Sequence, residues 1–150
     1  LARPRFDPAV LASRVVQREA LRVVVPAGHR LASLGRAIHR DDLVDEPLIM
    51  HSAAEAQYLH ELVLSVVPIS GRRVVHTVSQ LLTMVSLVSA GRGIAFIPDS
   101  ATRLGIDGIE YLPLDVRPQP SVELHLLWLK ESRNPALWRV LDILDDSPAG

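Results

Sequence analysis

Short aliphatic runs alternate along the chain with longer stretches in which apolar residues recur at three- and four-residue spacing. This alternation predicts repeated strand-helix units and hence a parallel sheet. Leu21-Arg22-Val23-Val24-Val25, ended by Pro26, is the first strand. Leu48-Ile49-Met50, Val74-Val75-His76 and Ile94-Ala95-Phe96-Ile97 read as short buried strands. Val122, Leu124, Leu126 and Trp128 alternate with Glu123, His125 and Leu127, which predicts a last strand with one better-buried face.

Helix signals fall between these runs. Ser52-Ala53-Ala54-Glu55 and Thr77-Val78-Ser79-Gln80 both fit capping boxes. The second opens a helix expected over residues 78–90, with Leu81, Met84, Val85 and Val88 in a stripe flanked by Leu82 and Leu87, wide enough to be shared between the core and a partner. Gly91 supplies a left-handed close, and Gly93 leads into the next strand. Asn134-Pro135 starts a further helix carrying Leu137, Val140, Leu141 and Leu144. Arg117-Pro118-Gln119-Pro120 is the clearest linker, and Ser147 to Gly150 reads as a frayed end.

Composition narrows the class. With 150 residues, 48% hydrophobic and 22% charged, the chain accommodates one small domain plus part of another, with a largely aliphatic core. A net charge of −1 offers no basic field for a phosphate backbone, so direct nucleic-acid binding by this segment is not expected. The lack of cysteine removes disulfides, thiolate nucleophiles and zinc-thiolate sites, and it fits a reducing compartment, the cytoplasm by default. No apolar run reaches the roughly 18 residues needed to span a bilayer, and Leu1-Ala2-Arg3-Pro4 reads as the interior of a longer protein.

Three predicted strands end near His51, His76 and Pro98, each running into a helix start at Ser52, Thr77 and Asp99 or Ser100. In a parallel sheet such junctions share one edge, where free amides and positive helix ends suit a small anion. Arg3 is a cation that could face a ligand or simply be solvated. His51 stands where a side chain can donate to a carboxylate, or else is an ordinary partly buried polar residue. Ser52, Ser79 and Gln80 serve as ligand donors, as caps, or as both.

Enzymatic signatures are lacking: there is no Gly-x-Gly-x-x-Gly, no phosphate-binding loop and no Gly-x-Ser-x-Gly elbow. The histidines at 29, 39, 51, 60, 76 and 125 show no metal-ligand spacing, and Asp41-Asp42 and Asp145-Asp146 read as solvated surface. No catalytic residue, metal or cofactor is expected.

The stretch Arg18 to Ala32, with its strand ending in proline before His29-Arg30-Leu31-Ala32, resembles LysR-type transcriptional regulators. Asp42-Leu43-Val44-Asp45-Glu46-Pro47-Leu48-Ile49 and Leu87-Val88-Ser89-Ala90-Gly91-Arg92-Gly93-Ile94-Ala95-Phe96-Ile97-Pro98 are similar to two further segments of that family, in the same order. The opening Leu1-Ala2-Arg3-Pro4 resembles members that sense benzoate or muconate.

The resemblance implies an α/β, type II periplasmic-binding-protein-like fold. One subdomain would be complete, with a mixed, mainly parallel sheet flanked by helices, and the other partial. Residues 1–19 would belong to the first subdomain and crossover, 20–118 to the second subdomain, and 119–150 to a strand and helix returning to the first. A small effector, anionic or an aromatic carboxylate, would lie between the subdomains against Arg3, His51, Ser52, Ser79, Gln80 and Leu81. His51-Ser52-Ala53 departs from the Pro-Ser-Ser-like turn of comparable members, which leaves the effector open. The resemblance further implies a homodimer or homotetramer, and DNA contact only through a winged helix-turn-helix upstream of Leu1. Effector binding would act by population shift rather than catalysis. A solute-binding protein for transport and a small α/β enzyme are the rival readings.

Overall fold

The computed structural model describes residues 6–67 and 73–146. Six strands and three α-helices follow one another as β1 (Leu11–Pro26), β2 (Pro47–His51), α1 (Gln57–Val66), β3 (Arg73–Val78), α2 (Leu81–Ser89), β4 (Ala95–Pro98), β5 (Ile109–Pro113), β6 (Ser121–Leu129) and α3 (Pro135–Asp146). The chain divides into two compact units, one running up to Arg18 and resuming at Glu123, the other spanning Glu19–Val122.

The second unit is a sheet buried on both faces, and the parity of its strand residues decides which face each one serves. Leu21, Val23 and Val25 of β1, Leu48 and Met50 of β2, and Phe96 of β4 pack with Val63 and Val66 of α1. Their neighbours Val24, Ile49, Ala95 and Ile97 pack on Met84, Val85 and Val88 of α2. Burial on both sides explains why these strands are written as unbroken aliphatic runs.

β2 and β3 pair in parallel, with Met50 opposite Thr77 and His51 opposite Val78. A parallel bridge between Leu48 and Ile94 links that pair to β4. β1 runs antiparallel to both β4 and β5. The sheet is therefore mixed, as the family resemblance implied. The wholly parallel sheet suggested by strand-helix alternation is corrected at its first strand: β1 enters from the other unit, not through a strand-helix crossover, and so arrives from the opposite end.

Three further expectations change. Val74-Val75-His76 is not a buried strand: every residue of Arg73–Thr77 is exposed, with Val74 and Val75 at 47% and 41%. Among the described residues β3 pairs with β2 alone, which leaves it at the sheet edge. Neither capping box opens a helix where expected. Ser52 to Glu55 forms a turn and α1 begins at Gln57, while Thr77 and Val78 remain in β3 and α2 begins at Leu81.

Other signals hold. Gly91, at φ 70°, closes α2 with Arg92 N–H donating to Leu87 O at 3.0 Å and Gly91 N–H to Val88 O at 2.8 Å, the paired bonds of a Schellman motif. In the first unit, Asn134 Oδ1 accepts from Ala136 N–H at 3.0 Å at the start of α3. Arg14 donates to Leu141 O and Leu144 O near the helix's other end, at 3.2 and 2.8 Å.

Gly93 holds the junction of β2 and β4. Its φ is 151°, and a Cβ there would lie 2.6 Å from Pro47 O, the carbonyl that accepts Ile94 N–H at 2.8 Å. Gly93→Ala must break or stretch this bridge and should destabilise the protein by about 2 kcal/mol or more. Urea unfolding checks this; an unchanged midpoint would show that the backbone there yields freely.

Candidate functional site

The parallel register of β2 and β3 brings two chain reversals together. Just past the strand ends, Ser52 N–H donates to Val78 O at 2.8 Å, which locks the exit of β2 against the exit of β3. Ser52 O then accepts from Ala56 N–H at 2.8 Å, and Ser52 Oγ from Glu55 N–H at 3.3 Å, so the serine fastens the turn before α1. After β3 the chain passes through Ser79 and Gln80 into α2, where Gln80 O accepts from Met84 N–H at 3.1 Å. No side chain caps α2, and no acidic residue lies in its first turn. The positive end of its dipole is thus unopposed locally.

Between these reversals lies an open hollow of about 270 Å³ lined by Ser52, Glu55, Thr77, Val78, Ser79, Gln80 and Thr83. Four hydroxyls and an amide converge on it, a donor-rich wall suited to carboxylate or hydroxyl oxygens. A larger hollow of about 590 Å³ in the first unit, around Val10 and Leu129, brings together no comparable set of hydroxyls. Among the described residues no three His, Cys, Asp or Glu side chains are placed to hold a metal ion. No helix among them is long and apolar enough to cross a membrane.

The residues singled out by sequence meet different fates. Ser52, Ser79 and Gln80 share the hollow. Leu81 turns its side chain into the apolar cluster beneath α2 and keeps only its backbone at the helix start. His51, expected as a ligand donor, is buried and already engaged within the fold. It shares the parity of Ile49, lies 4% exposed, and donates from Nε2 to Phe96 O at 2.8 Å. Burial pushes the His51 pKa below its ordinary value of 6.5, against the opposing pull of the Phe96 carbonyl, and nearby His60 lowers it further. Arg3 lies outside the described residues.

The third expected junction does not contribute a free helix end. Asp99–Leu104 is a 3-10 turn, Ser100 N–H is taken by Glu19 Oε2 at 2.7 Å, and Asp99 is paired with Arg22 at 2.5 Å. Thr83 was missed; its spacing of three from Gln80 on a helix was the available signal. Glu55 and Thr77 were read only as capping residues.

Comparison with known proteins gives one consistent family. The family model described as LysR substrate binding domain matches residues 1–149. The chain is 31% identical over 144 residues to the HTH-type transcriptional regulator IlvR of Caulobacter vibrioides, covering 95% of this chain and 47% of that protein. It is 29% identical over 143 residues to the HTH-type transcriptional regulator TtuA of Agrobacterium vitis, covering 90% and 46%. The chain thus spans about half the length of these relatives. Among solved structures, the BenM effector binding domain with its effector benzoate superposes with a TM-score of 0.79 at 18% identity, over 95% of this chain and 65% of that one. The reduced OxyR regulatory domain from Pseudomonas aeruginosa gives 0.76 at 24% identity, over 97% and 68%.

His51 generates a pH prediction. A histidine whose folded pKa is depressed contributes its stability in full above its unfolded pKa, near 6.5, and loses it as pH falls from there through the folded value. Urea unfolding from pH 7.5 down to pH 5 should show falling stability, and His51→Gln, which keeps an N–H for the Phe96 carbonyl, should flatten the slope. An identical slope in the variant would assign the effect to another group.

Proposed function

Because the chain belongs to the LysR substrate-binding-domain family, we propose that it is the effector-sensing part of a LysR-type transcriptional regulator. The observation that carries this reading is the hollow where Ser52, Thr77, Ser79 and Thr83 meet the uncapped start of α2. Such a wall holds an oxygen-rich small molecule by neutral donors and a helix dipole, without catalytic machinery. The relatives IlvR and TtuA are named transcriptional regulators, which favours sensing over transport or turnover. BenM is recorded with benzoate and QuiR with shikimate, both carboxylates, and a carboxylate is the class we assign here.

On this reading the DNA-binding head lies in the remainder of the full-length protein. Effector bound at the hollow shifts the population of regulator conformations in proportion to its differential affinity for them. Assembly into dimers or tetramers is part of the same proposal. The core takes most of the α2 stripe but leaves Leu82 61% exposed, and Val74 and Val75 of β3 are exposed as well.

Three outcomes test the proposal. Ligand retained by the full-length protein, identified by mass spectrometry, should be a small carboxylate. Thr77→Val and Ser79→Ala should each weaken its binding by roughly 10- to 100-fold in calorimetry, as expected for a lost hydrogen bond to a charged group; unchanged affinity in both variants would remove the site. Leu82→Glu should move the sedimenting species toward monomer, and a wild-type protein already monomeric at high concentration would refute assembly through this surface.

A further inference from the structure

The lining of the hollow is chemically lopsided. Glu55 is its one ionisable residue, and no lysine, arginine or histidine stands among the seven lining residues to match it. The acid is not there to fold the turn, because the bond that fastens the turn uses the backbone N–H of Glu55, not its carboxylate. Glu55 is exposed, and among the described residues its carboxylate makes no ion pair.

A carboxylate on the rim bears directly on what the hollow admits. The start of α2 and the hydroxyls of Thr77 and Ser79 attract a negative group. Glu55, on the rim of the same hollow, repels that group. A plain monocarboxylate therefore meets opposing effects. A molecule carrying a protonated amine beside its carboxylate meets two favourable ones, with the carboxylate on the helix start and the ammonium on Glu55.

We infer that the effector is zwitterionic, a small amino acid whose ammonium group is read by Glu55. This rests on the hollow being the effector site, and it adds to that reading the substrate class and the residue that selects it. Discrimination comes from charge pairing at one end of the ligand and from hydroxyl donors at the other, so the two ends can be tested separately.

The test uses the full-length regulator and a panel of standard amino acids, each paired with the deaminated acid of the same carbon skeleton. Calorimetry should show the preferred amino acid binding at least tenfold more tightly than its deaminated partner, about 1.4 kcal/mol. Glu55→Gln keeps the size and the turn while removing the charge, and it should reduce that ratio to about threefold or less. If carboxylates bind, and weaken with Thr77→Val or Ser79→Ala, but Glu55→Gln leaves the ratio unchanged, the zwitterion inference fails while the site stands. If no carboxylate of either kind binds, or binding ignores Thr77 and Ser79, the site and the inference fall together.

Discussion

Parallel pairing of β2 with β3 fixes the position of every group in the candidate site. Parallel strands that are neighbours in a sheet exit at the same edge. The turn after His51 and the turn after Val78 are therefore forced side by side, and the bond from Ser52 N–H to Val78 O sets their separation. Ser52 is distant in sequence from Thr77, Ser79 and Gln80, yet the strand register and that one backbone bond bring them together. The sheet delivers them, and the aliphatic packing on its two faces holds the sheet.

Much of this was legible in the sequence where a signal has one physical meaning. Gly91 can close a helix in a left-handed conformation at no steric cost, and Asn134-Pro135 can start one. The runs at Leu48–Met50 and Ile94–Ile97, and Leu21–Val25 apart from Arg22, are apolar enough to read as buried strands. Signals with two meanings failed. Val74-Val75-His76 has the β-propensity of a core strand but occupies the edge, because propensity does not record how many neighbours a strand has. A Ser-x-x-Glu spacing can fasten an isolated turn as well as a helix, and at Ser52 it does the former. His51 stands at the strand end that the sequence indicates, but its burial and its bond to the Phe96 carbonyl depend on the neighbouring strand and carry no sequence signal. Glu55 shows the cost of a reading that stops early, for a residue assigned as a cap was not considered as part of the lining.

The electrostatics of the edge separate two otherwise similar junctions. At the end of β4 the chain quenches its own positive end: the Glu19 carboxylate takes Ser100 N–H, and Asp99 is occupied by Arg22. At the end of β3 nothing comparable happens, and Gln80 leads into α2 without a side-chain cap. The two junctions thus differ in whether a side chain of the protein hydrogen-bonds the amides of the turn, and the one left uncapped borders the hollow lined by Ser52, Thr77, Ser79 and Thr83.

That difference has a thermodynamic meaning. Replacing a poor N-cap by Ser, Thr, Asp or Asn commonly stabilises a protein by about 0.5–2 kcal/mol, so position 80 is far from the choice that stability alone would favour. An aspartate there would satisfy the free amides of the first turn and complement the dipole, but it would also occupy with fixed charge the place an incoming carboxylate needs. With glutamine there the donors stay free, and on the proposed reading a ligand would supply the missing cap from outside. Local rules that hold at Asn134 and Gly91 are broken at the start of α2, and a broken rule beside a polar hollow is what a binding wall requires. On the proposed reading, a ligand that caps α2 would return the stability given up in the free protein, coupling occupancy of the hollow to the order of the turn that surrounds it.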